Sequence, residues 1–235
     1  MTNIFMDIYR LKVMQLKEFP NNDIKRRIKL LKHFKVNKVL DVGASIGQYG
    51  YYMRAFGYKE HIISFEPLKE PYRKLLKMSA GDKKWKTIPI ALGDTNGEAE
   101  INVAGNSYSS SLMEMTDTHT LSAPQAVYIG KEKISISTLD TIFDDHCEKS
   151  DQIFMKIDTQ GFEKNVLDGA EKSLQYIKGI QVEMSLVPLY KGGLLMTEMV
   201  KYLENKGYTL YALENGFSDK KSGQVLQADG IFFRS

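Results

Sequence analysis

The sequence predicts an α/β fold: a seven-stranded, mostly parallel sheet with helices on both faces and a final antiparallel hairpin. Three observations predict it. Short apolar runs alternate with helical patterns along most of the chain, as they do where parallel strands are joined by crossover helices. The first run ends in a glycine turn, VLDVGASIGQYG over residues 39–50, the place where a doubly wound sheet binds its ligand. The last two runs, Tyr208–Leu213 and Gly230–Phe233, are joined by a short loop at 214–227 with no helical pattern in it. They therefore close the sheet as a hairpin.

The elements follow in order. Ile4, Ile8, Leu11, Met14 and Leu16 recur near helical spacing, as do Ile24, Ile28, Leu30, Leu31 and Phe34, on either side of Pro20-Asn21-Asn22. Residues 1–37 thus read as an N-terminal arm of two helices joined by a turn, and 38–235 as the α/β domain. Lys38–Val42, His61–Phe65 and Trp85–Ile90 are the first three strands, with helices at Gln48–Phe56 and Leu68–Met78. Ile153–Ile157 and Ile180–Met184 are the next two, followed by helices at Glu163–Leu174 and Leu194–Lys206. Residues 93–137 interrupt this rhythm. They are rich in Gly, Asn and Ser, with strand-like stretches at Glu98–Val103 and Lys133–Ser137. The expectation is an inserted hairpin with a mobile loop laid over the site.

Composition excludes several classes. With 43% hydrophobic and 26% charged residues, the chain is not a disordered one. A single cysteine, Cys147, rules out an internal disulfide and a thiolate metal cluster. Asp7, Arg10 and Lys12 interrupt the N-terminus, so it lacks the apolar core of a secretory signal. No window approaches the roughly 18 apolar residues of a membrane span. These features predict a cytoplasmic protein.

Charge is uneven. Residues 1–38 carry ten basic side chains against three acidic ones, although the whole chain is only +3. Such an arm suits an anionic membrane surface or a phosphorylated carrier, or serves as an oligomer contact; a merely solvated helix face is the simpler alternative. Aromatic residues do not interleave with these charges, so no nucleic-acid partner is expected.

The glycine turn selects a cofactor. Asp41, Gly43 and Ala44 lie at the end of the first strand, where backbone approaches a ligand closely, with Gly47 and Tyr49 just beyond. Glu66, followed by Pro67, closes the second strand 23 residues after Gly43, placed to accept hydrogen bonds from ribose hydroxyls. Ala91, Leu92 and Asp94 follow the third strand, with Asp94 expected at an adenine edge. The turn is D-x-G-x-x-x-G and lacks the G-x-G pair that holds a pyrophosphate; no P-loop occurs either. S-adenosylmethionine, a nucleoside without phosphate, fits this arrangement better than NAD.

The chain resembles the FkbM-type S-adenosylmethionine-dependent methyltransferases. The matching pieces are VLDVGASIGQYG (39–50), FEP (65–67), ALGD (91–94), SYSSSL (107–112), ISISTLD (134–140), KIDTQGFEKNVLDGA (156–170), VEMS (182–185), LYKGG (189–193) and DGIF (229–232). At Gln160 the family's block has an acid. The resemblance implies a class I methyltransferase fold and transfer of a methyl group to an oxygen. Acceptors in the family are hydroxyls of sugars, glycans and natural products, so the expected partner is a saccharide or another hydroxyl-bearing small molecule, free or lipid- or carrier-linked. A module that binds the cofactor without turnover is the competing class.

A sugar hydroxyl is a poor nucleophile near neutral pH, so a base must take its proton or a metal must lower its pKa. Asp158 and Glu183 stand at the ends of two apolar strands, where an unpartnered carboxylate is costly. Asp158 is the candidate base or acceptor anchor, also facing the cofactor, with Glu183 gripping neighbouring hydroxyls. Alternatively the two share a Mg²⁺ ion, or Asp158 caps the next helix while Glu183 pairs with Lys156. His119, in the inserted loop, is a further candidate base. Ser110, with Ser109 and Ser111, is expected to hydrogen-bond the cofactor or acceptor, and Tyr190 to pack against either.

Overall fold

The structure, a computed structural model, describes residues 21–234. The first predicted helix of the arm lies outside the described residues. The second is α1 (Asn21–His33), followed by β1 (Lys38–Val42), α2 (Gln48–Ala55), β2 (His61–Phe65), α3 (Lys69–Ser79) and β3 (Trp85–Ile88). An insertion comes next: β4 (Ala91–Leu92), β5 (Gly97–Ala104), α4 (Asp117–Ser122) and β6 (Tyr128–Ser137). The chain then returns through α5 (Leu139–His146), β7 (Ile153–Ile157), α6 (Glu163–Asp168), β8 (Ile177–Ser185), α7 (Met196–Asn205), β9 (Thr209–Asn215) and β10 (Gln227–Phe233). Among the described residues no helix is long and apolar enough to cross a membrane.

The main sheet has seven strands in the order β3-β2-β1-β7-β8-β10-β9. It is parallel except for β10, which runs antiparallel to both β8 and β9. The central strands β1 and β7 are buried along nearly their whole length, which explains why their sequences read as continuous apolar runs rather than alternating ones. One face packs under Leu139, Phe143, Val166, Met199 and Leu203 of α5, α6 and α7. The other packs under Leu31, Met53 and Leu75 of α1, α2 and α3. Thus α1 shares a core with the domain it precedes. The chain reverses strand order between β1 and β7, and the carboxyl ends of these two strands form the crevice in which such sheets bind ligands.

Two local expectations change. The helix predicted over Glu163–Leu174 stops at Asp168 and is followed by a separate 3₁₀ turn at Ser173–Tyr176. Asp140 causes the break: its carboxylate accepts hydrogen bonds from the Lys172 and Ser173 amides, which a continuous helix would have used internally. The insertion is more than a hairpin. β5 and β6 pair antiparallel, and β4 leaves the main sheet to join them in a three-stranded sheet, β4-β6-β5. Its loop is pinned: the Ser111 hydroxyl donates to the Gln160 carbonyl at 2.6 Å, and Tyr128 donates to the Met113 carbonyl at 2.7 Å.

Candidate active site

A cavity of about 400 Å³ opens at the carboxyl ends of β1, β2, β7 and β8, roofed by the inserted loop and walled on one side by α1 and α2. At the end of β1 the chain turns sharply, with Gly43 at φ 74° and Ser45 at φ 48°. A Cβ on Gly43 would lie 1.9 Å from the Asp158 carbonyl oxygen, so only glycine lets the first turn and the β7 loop meet. The Gly43 and Ala44 amides donate to the Phe65 carbonyl at 3.1 and 3.0 Å, tying the turn to the end of β2.

Glu66 follows β2 and is 5% exposed, yet it lines the cavity. Its carboxylate accepts the Ser45 amide at 2.8 Å and the Leu68 amide at 2.9 Å. Burial pushes the carboxyl up to about 7, against the pull of those two amides. Pro67, Leu68, Ile90, Ala91, Leu92 and Phe162 continue the wall as an apolar slot suited to a nucleobase.

The other end is assembled from side chains. Asp158 follows β7, and the loop after it is held by Glu163, whose carboxylate accepts the Thr159 and Gly161 amides at 2.9 and 3.1 Å. That grip places Gln160 in a left-handed conformation, φ 57°. Its amide nitrogen then donates to Asp158 Oδ1 and to Glu183 Oε2, both at 2.8 Å. The Gln160 oxygen accepts the Tyr190 hydroxyl at 2.6 Å, which fixes the amide's orientation. Gln227 makes a second bond to Glu183 Oε2, at 2.6 Å. Burial raises the Glu183 carboxyl well above the usual carboxylate range, and the charges of Asp158 and Asp229 add to this. Lys156 reaches Asp41 at 3.3 Å, Asp158 at 3.5 Å and the Gly43 carbonyl at 3.0 Å. Burial opposes its charge, but Asp158 and Asp41 outweigh that and keep it an ammonium.

Several expectations meet this geometry. Gly43, Ala44, Tyr49, Glu66, Pro67, Ala91, Leu92, Ser110, Asp158 and Glu183 all line the one cavity. Asp41 lies beneath it, fully buried, accepting from the Ser64 hydroxyl at 2.9 Å and paired with Lys156. Gly47 begins α2 and faces Leu75 and Met78 of α3 instead of the cavity, so it serves helix packing. Asp94 lies outside because β4 carries the chain into the second sheet; it accepts from Asn165 at 2.8 Å. His119 is 2% exposed and sits edge-on to Tyr190 with ring centroids 5.0 Å apart, away from the cavity wall. Its ring is lodged in the packing beneath the loop, and burial lowers its pKa. Glu183 does not pair with Lys156, whose carboxylate partners are Asp41 and Asp158. Asp158 does not cap α6, which starts after Phe162. The Asp158–Glu183 pair also does not fit a cation in this arrangement. Gln160 presents N–H donors between the two carboxylates, where a metal would need a lone pair, and no group of three metal-binding side chains occurs among the described residues.

Sequence reasoning missed Arg27, Lys156, Gln181 and Asp229 in the wall and Gln160 as the bridge. Lys156, Gln181 and Asp229 carried the signal that singled out Asp158, a polar residue set in an apolar strand. Arg27 carried none, being one base among ten.

The FkbM methyltransferase domain model matches residues 41–210. None of the curated proteins compared matches the chain. Among solved structures, it is similar to magnesium protoporphyrin IX methyltransferase from Synechocystis with bound S-adenosylmethionine: 8% identity, all of this chain and 86% of that one covered, TM-score 0.49. It is also similar to TrmK of M. capricolum in complex with S-adenosylhomocysteine, at 8% identity over 89% of this chain and 68% of that one, TM-score 0.47. A third is an rRNA methylase from Streptococcus thermophilus, at 8% identity over 85% and 87%, TM-score 0.44. The matched segment contains the glycine turn, Glu66, the bridged carboxylates and the insertion, so the chain belongs to the FkbM methyltransferase family and is an S-adenosylmethionine-dependent enzyme of class I fold.

Proposed function

We propose that this enzyme methylates a hydroxyl of a sugar or glycan, free or carrier-linked. The carrying observation is the Asp158–Gln160–Glu183 bridge facing a wall otherwise supplied by Gln181, Asp229, Ser107 and Ser110. Such a wall offers many hydrogen bonds to a polyhydroxylated ligand. S-adenosylmethionine would supply a methyl group carried on a sulfonium, with a neutral thioether as leaving group. Glu66 would hold the ribose hydroxyls, and Leu68, Ala91, Leu92 and Phe162 would enclose the base. Asp158, whose carboxylate lies 3.5 Å from the Lys156 ammonium, takes the acceptor's proton. Glu183 binds a neighbouring hydroxyl and fixes the sugar's register, and Gln160 holds the two carboxyls in one mutual position. The inserted loop excludes water.

The α1 face opposite Arg27 exposes Lys25, Arg26, Lys29 and Lys32, which supports an anionic carrier or membrane surface as the acceptor's source. Cys147 is free and buried, its thiol raised to about 11 by burial, which is consistent with cytoplasmic work. The test is transfer of a labelled methyl group to neutral sugars, sugar nucleotides and lipid-linked saccharides. Label in a saccharide that survives mild base identifies a methyl ether. Base-labile label, or label only in non-saccharide hydroxyl compounds, overturns the assignment.

A further inference from the structure

The cavity holds one arginine, and it comes from outside the matched segment. On α1, Ile24, Arg27 and Leu31 form the buried stripe, so Arg27 replaces an aliphatic residue in the middle of a helix seam. A guanidinium is costly to bury unless its donors are used. Arg27 is 7% exposed, its Nη2 donates to Glu214 on β9, and its Cζ lies 5.0 Å from the Tyr49 ring centroid. Its Nε has no hydrogen-bond partner, and neither does Oε1 of Glu214. A guanidinium carries five N–H donors, and the Glu214 bond occupies one of them.

The charges around it are unequal. Four acids line the cavity, Glu66, Asp158, Glu183 and Asp229, with two cations, Arg27 and Lys156. Lys156 is committed to Asp41, Asp158 and the Gly43 carbonyl. The amino-acid end of S-adenosylmethionine is a zwitterion next to a sulfonium. Its positive groups find carboxylates throughout the wall, but among the described residues its carboxylate finds one cation with donors to spare. The sheet order also separates the ends: Glu66 follows β2, whereas Arg27 is anchored over β9 and beside Asp229 of β10, across β1, β7 and β8.

We propose that Arg27 anchors the methionine carboxylate of the cofactor, which makes α1 part of the cofactor site. Arg27 precedes residue 41 and Glu214 follows residue 210, so this anchor is supplied from either side of the segment that the family model matches. The proposal rests on S-adenosylmethionine occupying this cavity.

Calorimetric titration tests it with two ligands, S-adenosylhomocysteine and 5′-methylthioadenosine, which shares the nucleoside but lacks the amino-acid end. The proteins are wild type, Arg27→Gln, and the double variant Arg27→Gln/Glu214→Gln, which removes the buried carboxylate that the single change leaves unpaired. Both variants are expected to bind S-adenosylhomocysteine about 10- to 100-fold more weakly, the loss of a charge-assisted hydrogen bond, with 5′-methylthioadenosine affinity unchanged. Equal weakening of both ligands, or of neither, in the double variant overturns the anchor. Binding of neither ligand by the wild type instead removes the cofactor assignment beneath it.

Discussion

At the proposed cofactor end the cavity is shaped by local backbone, the Gly43 turn and the Ser45 and Leu68 amides that Glu66 gathers, beside an apolar slot of side chains. At the proposed acceptor end it is mostly side chain, with Asp158, Gln160 and Glu183 in the wall and Tyr190 and the Ser111 hydroxyl holding Gln160 from separate segments behind it. The first end is fixed by local conformation, so substitution there breaks the fold and binding together. The second end is fixed by a hydrogen-bond network, so substitution there is expected to lower turnover more than cofactor binding.

The largest expected effect is at the backbone end. Gly43→Ala introduces a Cβ 1.9 Å from the Asp158 carbonyl at a φ of 74°. It is expected to destabilise by about 3 kcal/mol or more and to abolish S-adenosylhomocysteine binding. Thermal melting with calorimetry checks this, and a variant that melts and binds like the wild type breaks the comparison.

Asp158→Asn is next, and it sharpens the contrast. It keeps the hydrogen-bonding shape but removes the proposed base, so turnover is expected to fall about 10²- to 10⁴-fold. Cofactor-product affinity should stay within about threefold, since the loss lies in the chemical step. Single-turnover kinetics beside calorimetry separates the two quantities.

A pH effect belongs to the cofactor end. Glu66 sits near 7 in the free protein because burial favours its protonated form. In the proposed role the ribose hydroxyls donate to the ionised form, so below about 7 a proton must leave before the ligand binds. S-adenosylhomocysteine affinity is therefore expected to rise from pH 6 to 8, by up to about tenfold for each pH unit below 7. Glu66→Gln should bind weakly with a flat profile.

The smallest effect is at His119. Burial lowers its pKa, so the folded protein prefers the neutral ring while the unfolded chain takes up a proton as pH falls below about 6.5. Wild-type stability should decline on that acid side, and His119→Phe, which keeps the edge contact with Tyr190, should flatten the decline. Turnover is expected within about twofold of wild type, because the ring meets neither cavity nor carboxylates. Melting curves from pH 5 to 8 read it.

The same division explains what the sequence disclosed. β1, β2 and β7 coincide with the apolar runs that predicted them, because a strand buried on both faces writes its burial into every residue. The turn and Glu66 were legible for a similar reason, since a local conformation needs local residue types. Gln160 was not, because its role depends on Glu183 and Tyr190, 23 and 30 residues away. Arg27 was hidden among surface bases, since only the meeting of α1 with β9 turns it inward. Asp94 misled because a two-residue strand, β4, changed sheets after a run that looked continuous.

One buried relay has a practical consequence. The indole N–H of Trp85 donates to the Ser64 hydroxyl at 3.0 Å, Ser64 donates to Asp41, and Asp41 faces Lys156, which holds the Gly43 carbonyl. Trp85 is the chain's only tryptophan. Indole emission responds to the electric field around the ring, and this row of dipoles and charges ends at the turn beside the cavity. Emission from this one chromophore is therefore expected to shift as the cavity fills during a titration.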